Sequence, residues 1–505
     1  MSMAVGSKWK VSRASLWKVK LFYQNVPQKN TVCMIRGYHY SRAGKPQEEL
    51  FPQRLTLPEN RGYVPMLSPS QVTSILTQLE TSVVGTGPVK FFDSNLLASN
   101  NPTEDRRAAG QLLQTGGGLF GVFDGHAGSA CAQAVSERLF NYIAVSLLST
   151  DQFEQYSQQM RSENPPQLVN KWRFREDYVS EDLEHIYVQG LQRYVTETLS
   201  FSGDDVQLPS SVVEQLSTAF QRLDADISQE ALPSARAVDT DLLQVAMSGA
   251  CTCVAHIKDS DVEVASVGDC RAVVGRLGAD KTWTAVPLTV DQNVDNSAEV
   301  RRVMEHHPKS EWSSIIKNDR LLGLLVPLRA FGDIRFKWSR SDLQSLASVV
   351  TGSRIETFIP SHYQTPPYLT AEPEVSCHKL RLHDRFMVIA TDGLWDMMSS
   401  QEAIDIVGDH MLGKQSRSQS VKGAYELMTL GEIAHILHER QRGLAHESTD
   451  NNGATHLVRH ALGFEHRKVS EMLTFPPAVA RHYRDDMTVI IVYFDVDYLS
   501  AHCTE

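Results

Sequence analysis

Residues 119–126, LFGVFDGH, run from an apolar stretch straight into Asp124, Gly125 and His126, and residues 385–396, RFMVIATDGLWD, repeat the pattern with Asp392 and Gly393. In residues 485–495, DDMTVIIVYFD, the order is reversed and Asp485 and Asp486 introduce the apolar run. A buried, unpaired carboxylate is costly, so aspartates in such places call for hydrogen-bond donors, a cation or a metal. If the last run lies antiparallel to the other two, all these carboxylates meet at one end of one sheet and repel unless cations neutralise them. Oxygen donors beside glycines, where a backbone carbonyl can also approach, suit Mg²⁺ or Mn²⁺ better than zinc, which prefers Cys and His. Glu104 and Asp105, in NPTEDRR, add a further acidic point. Two such ions bridged by one aspartate would polarise a phosphoryl oxygen and turn a bridging water into hydroxide for in-line attack. His126 would then protonate the departing oxygen. Singly, DG and DD dipeptides are ordinary turns or strand caps, and only their combination carries weight.

The elements that would position these groups follow from periodicity. Leu119 to Phe123 reads as a short buried strand, and Cys131, Val135, Leu139, Ile143 and Leu147 recur every four residues as one helix face, which puts Asp-Gly-His on the turn between them. LSPSQVTSILTQLE (67–80) reads as a helix behind a Ser cap. The run QTGGGLFG reads as a turn introducing the first strand, because no helix start or Gly-Lys-Ser/Thr follows to make a phosphate loop. Residues 150–240 read as mostly helical. Between 249 and 290 the period changes to two, and CTCVAHI, DVEVASVGDCRAVVGRL and TWTAVPL read as antiparallel strands joined by short turns. Residues 400–470 read as helices, including QEAIDIVGDHML, LGEIAHILHERQ and ATHLVRHAL.

Charge divides the chain. Residues 1–47 hold nine Lys or Arg and no acid before Glu48, whereas the rest carries 40 basic against 60 acidic side chains. A basic, acid-free start with interspersed Trp9, Leu16, Trp17, Leu21 and Phe22 fits a mitochondrial transit peptide cleaved beyond Arg36, near RGYHYS. A disordered basic tail that binds anionic surfaces is the alternative. The acidic body argues against nucleic acid as a partner, and no apolar run approaches the ~20 residues that cross a bilayer. Seven scattered cysteines without paired CxxC motifs favour reduced thiols. Cys251 and Cys253 alternate as residues on one strand face do, which favours core packing over a redox or zinc role.

VFDGHAG (122–128), SGACTC (248–253), VGDCRAVV (267–274), RAFGD (329–333), ATDGLWD (390–396) and RDDMTVIIV (484–492), in that order, resemble the metal-dependent Ser/Thr protein phosphatases of type 2C. The resemblance runs from about Asn95 to Phe494. It implies an α+β fold, a four-layer α/β/β/α sandwich of two antiparallel sheets flanked by helices with helical insertions, and a dinuclear Mg²⁺ or Mn²⁺ centre in the cleft at one end. It also implies an organisation: a transit peptide at 1–45, an extension at 46–90, a catalytic domain at 91–497 with insertions near 150–240 and 400–470, and a tail at 498–505. FDSNLLASNNPTEDRRAAGQLLQT, RLLGLLVPLRAFGD and NNGATHLVRHALG are more similar still to the branch of the family that acts on the pyruvate dehydrogenase complex. This similarity implies phosphoserine on the E1 alpha subunit as substrate, docking on an E2 lipoyl domain, and residence in the mitochondrial matrix. A Ca²⁺ ion at the partner interface and a regulatory subunit are further expectations. No EF-hand loop is present, so a calcium site would need ligands from the partner.

Position by position, the family pattern makes Asp124 the bridging ligand, Gly125 a carbonyl ligand, and Asp392 and Asp485 ligands of one metal. Asp105 matches an acidic position that holds metal-bound water, with Glu104 beside it, and His126 matches the general acid, although a structural histidine holding the turn is the bland alternative. Asp291, in TVDQN, sits where relatives carry Asp-His and touch a third ion; here Gln292 replaces the histidine. Asp486 stands where relatives usually carry Asn, which implies a supporting role. Most relatives have an arginine five residues before the Asp of the ED pair, where it clamps phosphate with charge-assisted hydrogen bonds. Here that residue is Asn100, as in the pyruvate dehydrogenase branch, so phosphate binding leans on metal and docking. Arg106 and Arg107 are nearby cations, more simply read as structural partners of the acidic cluster, and Arg271 and RAFGD read as scaffold. Two other classes remain. An inactive scaffold would lack a metal aspartate, and none is lacking; a general phosphatase of another compartment would show no processing of its N-terminus.

Overall fold

The computed structural model describes residues 66–160, 165–175, 181–201, 209–233, 238–350, 358–413 and 450–502. The expected transit peptide, most of the extension and the helix expected at LGEIAHILHERQ lie outside the described residues.

Strands β1 (Thr81–Val84), β2 (Val89–Leu97), β3 (Arg106–Leu112), β4 (Gly118–His126) and β5 (Val169–Lys171) come first. After a helical stretch follow β6 (Gly249–Lys258), β7 (Asp261–Val267), β8 (Arg271–Leu277) and β9 (Trp283–Pro287). Short β10 (Ile316–Lys317), β11 (Arg320–Leu321) and β12 (Phe331–Gly332) precede β13 (Glu374–Lys379), β14 (Asp384–Ala390) and β15 (Met487–Phe494). One sheet has the order β1-β2-β15-β14-β8-β9 and the other β13-β7-β6-β4-β3-β5, with β12 added against β6. Every pairing within both sheets is antiparallel.

The period of two along each strand sorts the side chains into layers. Phe120 and Val122 of β4, Cys251 and Cys253 of β6, Met387 and Ile389 of β14, and Ile490 and Val492 of β15 meet between the sheets. Leu119 and Phe123 face outward onto a layer that includes the helices Ala130–Ser146 and Val212–Glu230. Phe386, Val388 and Ala390 face outward onto Ser400–Met411 and Gly453–Ala461. This is the expected four-layer sandwich, and both cysteines of GACTC are core residues. Each buried Val, Ile or Phe contributes about 1.5–3 kcal/mol, so the two sheets form a stiff frame for whatever stands at their ends.

Two expectations change. QTGGGLFG does not introduce the first strand, because three strands precede it. β2 and β3 escape a pattern search because polar Asp93, Ser94 and Asn95 are buried within β2. They are buried because each is bonded: Gly453 N donates to Asp93 at 2.7 Å, Arg107 Nη1 to Ser94 at 2.6 Å, and Asn95 Nδ2 to Leu76 O at 2.8 Å. The boundary expected at residue 91 therefore falls inside β2, and the helix Pro69–Leu76, capped by Ser68 as expected, packs Val72 and Leu76 onto the six-stranded sheet. The carboxylates, secondly, do not gather on one sheet. β14 and β15 are antiparallel neighbours in one sheet, but β4 belongs to the other, so Asp124 meets Asp392 across the gap between two facing sheets.

Candidate metal centre and active site

Asp124 continues the parity of Phe120 and Val122, which directs it to the space between the sheets where the apolar filling ends. From the facing sheet, Ala390 of β14 stands beside both Arg271 and Val489, so the segments just outside those residues share one end. Oxygen atoms of Asp124, Asp269 and Asp392 lie within 4.8 Å of one another there. Asp269 was not singled out from the sequence. It belongs to the turn Gly268-Asp269-Cys270, where the chain leaves β7 in one sheet and enters β8 in the other. Gly268 takes a φ of +94° at this crossing. Gln292 braces it, accepting from Gly268 N at 2.7 Å and donating its own backbone N–H to Gly268 O at 2.9 Å. That is the work of the amide found in place of a histidine.

Burial, and next the charge of Asp392, drives the Asp124 carboxyl well above its ordinary pKa; burial and Asp269 do the same to Asp392. Asp105 is raised well above its ordinary range by burial and then by Asp486, and burial also raises Asp269, Glu104 and Asp485. None of Asp124, Asp269 and Asp392 forms an ion pair among the described residues. An all-oxygen set of mutually repelling carboxylates is the donor set that hard divalent cations stabilise, so the residues fit the ions the sequence implied. Glycines tighten the cradle: a Cβ on Gly125 would lie 2.4 Å from Glu104 O, and one on Gly393 would lie 2.0 Å from Asp486 O.

The remaining residues fall into place around this cluster. Asp105, 1% exposed, accepts from Thr391 Oγ1 at 2.8 Å and Thr488 Oγ1 at 2.7 Å. Glu104 accepts from Gly128 N at 2.6 Å. Asp485 is exposed at the rim, outside the tight trio, and accepts from Asp486 N at 2.7 Å. Buried Asp486 takes the backbone N–H groups of Ser99, Asn100 and Glu104. The Asn100 amide turns its nitrogen to Asp485 and Asp486, at 3.3 and 3.2 Å. Arg106 is spent on Thr103 O and Asp105 O, at 2.9 and 2.7 Å, and on Gln133. Arg107 is buried over the Phe174 ring. Asp291, expected near a third ion, has both oxygens engaged by Arg271, at 3.0 and 2.7 Å.

His126 Nε2 lies 2.6 Å from Asp333 Oδ2. Burial alone would lower the imidazole pKa; the Asp333 carboxylate outweighs it and holds it above the usual value. Asp333 reaches this position from the left-handed region, with φ of +50°. RAFGD, read as scaffold, thus supplies the partner of the histidine. Gly249 of SGACTC lies against the pair, because a Cβ there would meet His126 Nε2 at 2.1 Å and Asp333 Oδ2 at 2.3 Å. Gly249→Ala should therefore part His126 from Asp333, lowering kcat by an order of magnitude or more while Mn²⁺ affinity, read by calorimetry, stays near wild type. Unchanged kcat would show that the contact is dispensable.

Among the described residues no helix is long and apolar enough to cross a membrane. The protein phosphatase 2C family model matches residues 174–430, a span that takes in Asp269, Asp333 and Asp392 but neither Asp124 nor Asp485. Whole-chain similarity is broader. Human [pyruvate dehydrogenase [acetyl-transferring]]-phosphatase 1, mitochondrial, is 43% identical over 458 residues, covering 86% of this chain and 84% of its own. The human phosphatase 2 of the same name is 41% identical over 469 residues, covering 89% and 87%. A crystal structure of serine-threonine phosphatase 2C from Toxoplasma gondii aligns with 83% of this chain and 99% of its own, with a TM-score of 0.41 and 17% identity.

Proposed function

The chain belongs to the protein phosphatase 2C family, and from that membership we propose that it is a protein-serine phosphatase that hydrolyses phosphoserine on the E1 alpha subunit of the pyruvate dehydrogenase complex, reactivating it. The observation that carries the reading is the convergence of Asp124, Asp269 and Asp392 at one end of the sandwich. Two Mg²⁺ or Mn²⁺ ions held by Asp124, Asp392, Asp485 and the Gly125 carbonyl, with Asp105 and Glu104 behind them, would supply Lewis acidity and activate the attacking water. The protein's own part is positional. Thr391, at the cap just beyond β14, and Thr488 of β15 fix Asp105, Asp486 shapes the loop carrying Glu104, and the stiff sheets hold the carboxylates together against their repulsion. His126 shares its Nε2 proton with Asp333, leaving Nδ1 to serve the serine oxygen as it departs.

The protein works in the mitochondrial matrix, entering on its basic N-terminal segment and docking on an E2 lipoyl domain, with Ca²⁺ completed at that interface and a regulatory subunit as a further partner. The names of the relatives and the acid-free first 47 residues support this reading. The test is phosphate release from phosphorylated E1, with and without isolated lipoyl domain, across Mg²⁺ and Ca²⁺ concentrations. Release should require Mg²⁺ or Mn²⁺, stop with EDTA, and rise when lipoyl domain and Ca²⁺ are present together. Release without a divalent ion would overturn the metal reading. Equal rates on unrelated phosphoproteins would favour a general phosphatase.

A further inference from the structure

A phosphoserine ester carries about two negative charges near neutral pH, and it must enter a cleft rimmed by Glu104 and Asp485. Cations close to this rim are few, and the other arginines are either bonded within the protein or buried. Arg106 bonds loop carbonyls, Arg107 is buried against Ser94, Leu79 O and Phe174, and Arg484 buries Nε and Nη1 where neither finds a partner. Asn100 offers only a neutral amide, and it faces Asp485 and Asp486.

Arg481 differs. It is the exposed residue that ends the short helix Pro477–Ala480, and it makes no hydrogen bond or ion pair among the described residues. The turn that carries it is fixed: Arg484 N bonds Ala480 O at 3.0 Å, and Ser99 Oγ bonds Arg484 O at 2.9 Å. Residues 480–486 are thereby stitched alongside the loop 99–104. Asp485 stands on the first of these segments and Glu104 on the second, so the turn that carries Arg481 runs along the rim of the cleft.

We propose that Arg481 is the phosphate-binding cation of this enzyme, donating to the non-bridging oxygens of the substrate phosphate. The inference rests on the phosphatase reading above. An arginine presents its donors as a planar fork matched to two phosphate oxygens, and here that fork is unspent. Its cost is small in the free protein, since an exposed guanidinium stays hydrated until the phosphate arrives.

The test uses the full chain at saturating Mn²⁺, with inorganic phosphate as competitive inhibitor and p-nitrophenyl phosphate as substrate. Arg481→Ala should raise the inhibition constant for phosphate and KM by about tenfold, the worth of one charge-assisted contact, with kcat within about threefold. Mn²⁺ affinity from calorimetry should stay level or tighten, because a cation beside the rim carboxylates has been removed. Arg481→Lys should recover part of the phosphate affinity, keeping the charge but losing the fork. An inhibition constant unchanged in Arg481→Ala, or a loss that tracks weakened Mn²⁺ binding, would overturn the assignment. A wild-type chain that neither hydrolyses the substrate nor is inhibited by phosphate would instead overturn the phosphatase reading.

Discussion

Asp392→Ala should reduce divalent-dependent phosphate release by about 10³-fold or more, since a metal supplies several kcal/mol of charge stabilisation and each ~1.4 kcal/mol is worth a factor of ten. The same substitution should leave the metal-free protein folded and raise its Tm. Asp392 shares a space under 4.8 Å across with Asp124 and Asp269, and deleting one of three confined charges relieves the other two. The pH dependence follows from the direction of the shift. Burial and Asp269 raise the Asp392 carboxyl above its unfolded value of about 4. A raised carboxyl contributes stability that is fully present below that value and lost as pH climbs through its folded pKa. Metal-free wild type should thus lose stability as pH rises above about 4, with a shallower slope in Asp392→Ala. Mn²⁺ should raise the wild-type Tm more at about pH 8 than at about pH 5, and the variant much less at either. Melts with EDTA or Mn²⁺, beside phosphate-release assays, check both halves. Retained activity would remove Asp392 from the metal site.

How much of this was readable beforehand depended on where a carboxylate stands relative to its strand. Asp124 and Asp392 close uninterrupted apolar runs and are followed by glycine, so an alternation of period two breaking at Asp-Gly marks both. Asp269 is as central, yet it lies inside DVEVASVGDCRAVVGRL, which scans as one alternating stretch. The stretch is two strands, β7 and β8, in different sheets. The glycine at 268 was the local sign of the crossing, and the structure gives it a positive φ. Sheet membership itself is not written in local pattern: β4 and β14 look alike, and only long-range pairing of β4 with β6 and of β14 with β8 and β15 puts them on opposite sides of the cleft. Asp333 was hidden for a related reason, since its pairing with His126 joins residues 207 positions apart. β2 was missed because its buried polar residues obey bonding partners rather than alternation. Arg481 carries no motif, and its interest comes only from what the neighbouring arginines are already doing.

Asp486→Ala should be the most damaging change outside the clustered carboxylates and the proposed metal ligands. Asp486 is 2% exposed and accepts from Ser99 N, Asn100 N and Glu104 N at 2.5, 2.8 and 2.7 Å, and from Thr103 Oγ1 at 2.9 Å. An ionised carboxylate only accepts, and here it gathers the backbone donors of one loop as a nest gathers an anion. Alanine leaves those N–H groups buried without partners, at about 1–3 kcal/mol each where water cannot enter, so a loss on the order of 4 kcal/mol is expected. Because the loop leads directly into Glu104 and Asp105, and Gly393 packs against Asp486 O, the disturbance should reach both acidic points and Asp392. Mn²⁺ affinity and kcat should therefore fall with Tm. Asp486→Asn should do less harm than alanine but still fall short of wild type, because its one oxygen can serve only one side of the loop while its NH₂ faces donors on the other. Calorimetry and thermal melts on the three proteins decide the matter. If Asp486→Ala melts and binds Mn²⁺ like wild type, the loop holds its shape without this carboxylate, and the positioning of Glu104 and Asp105 must come from Thr391, Thr488 and Gly128 alone.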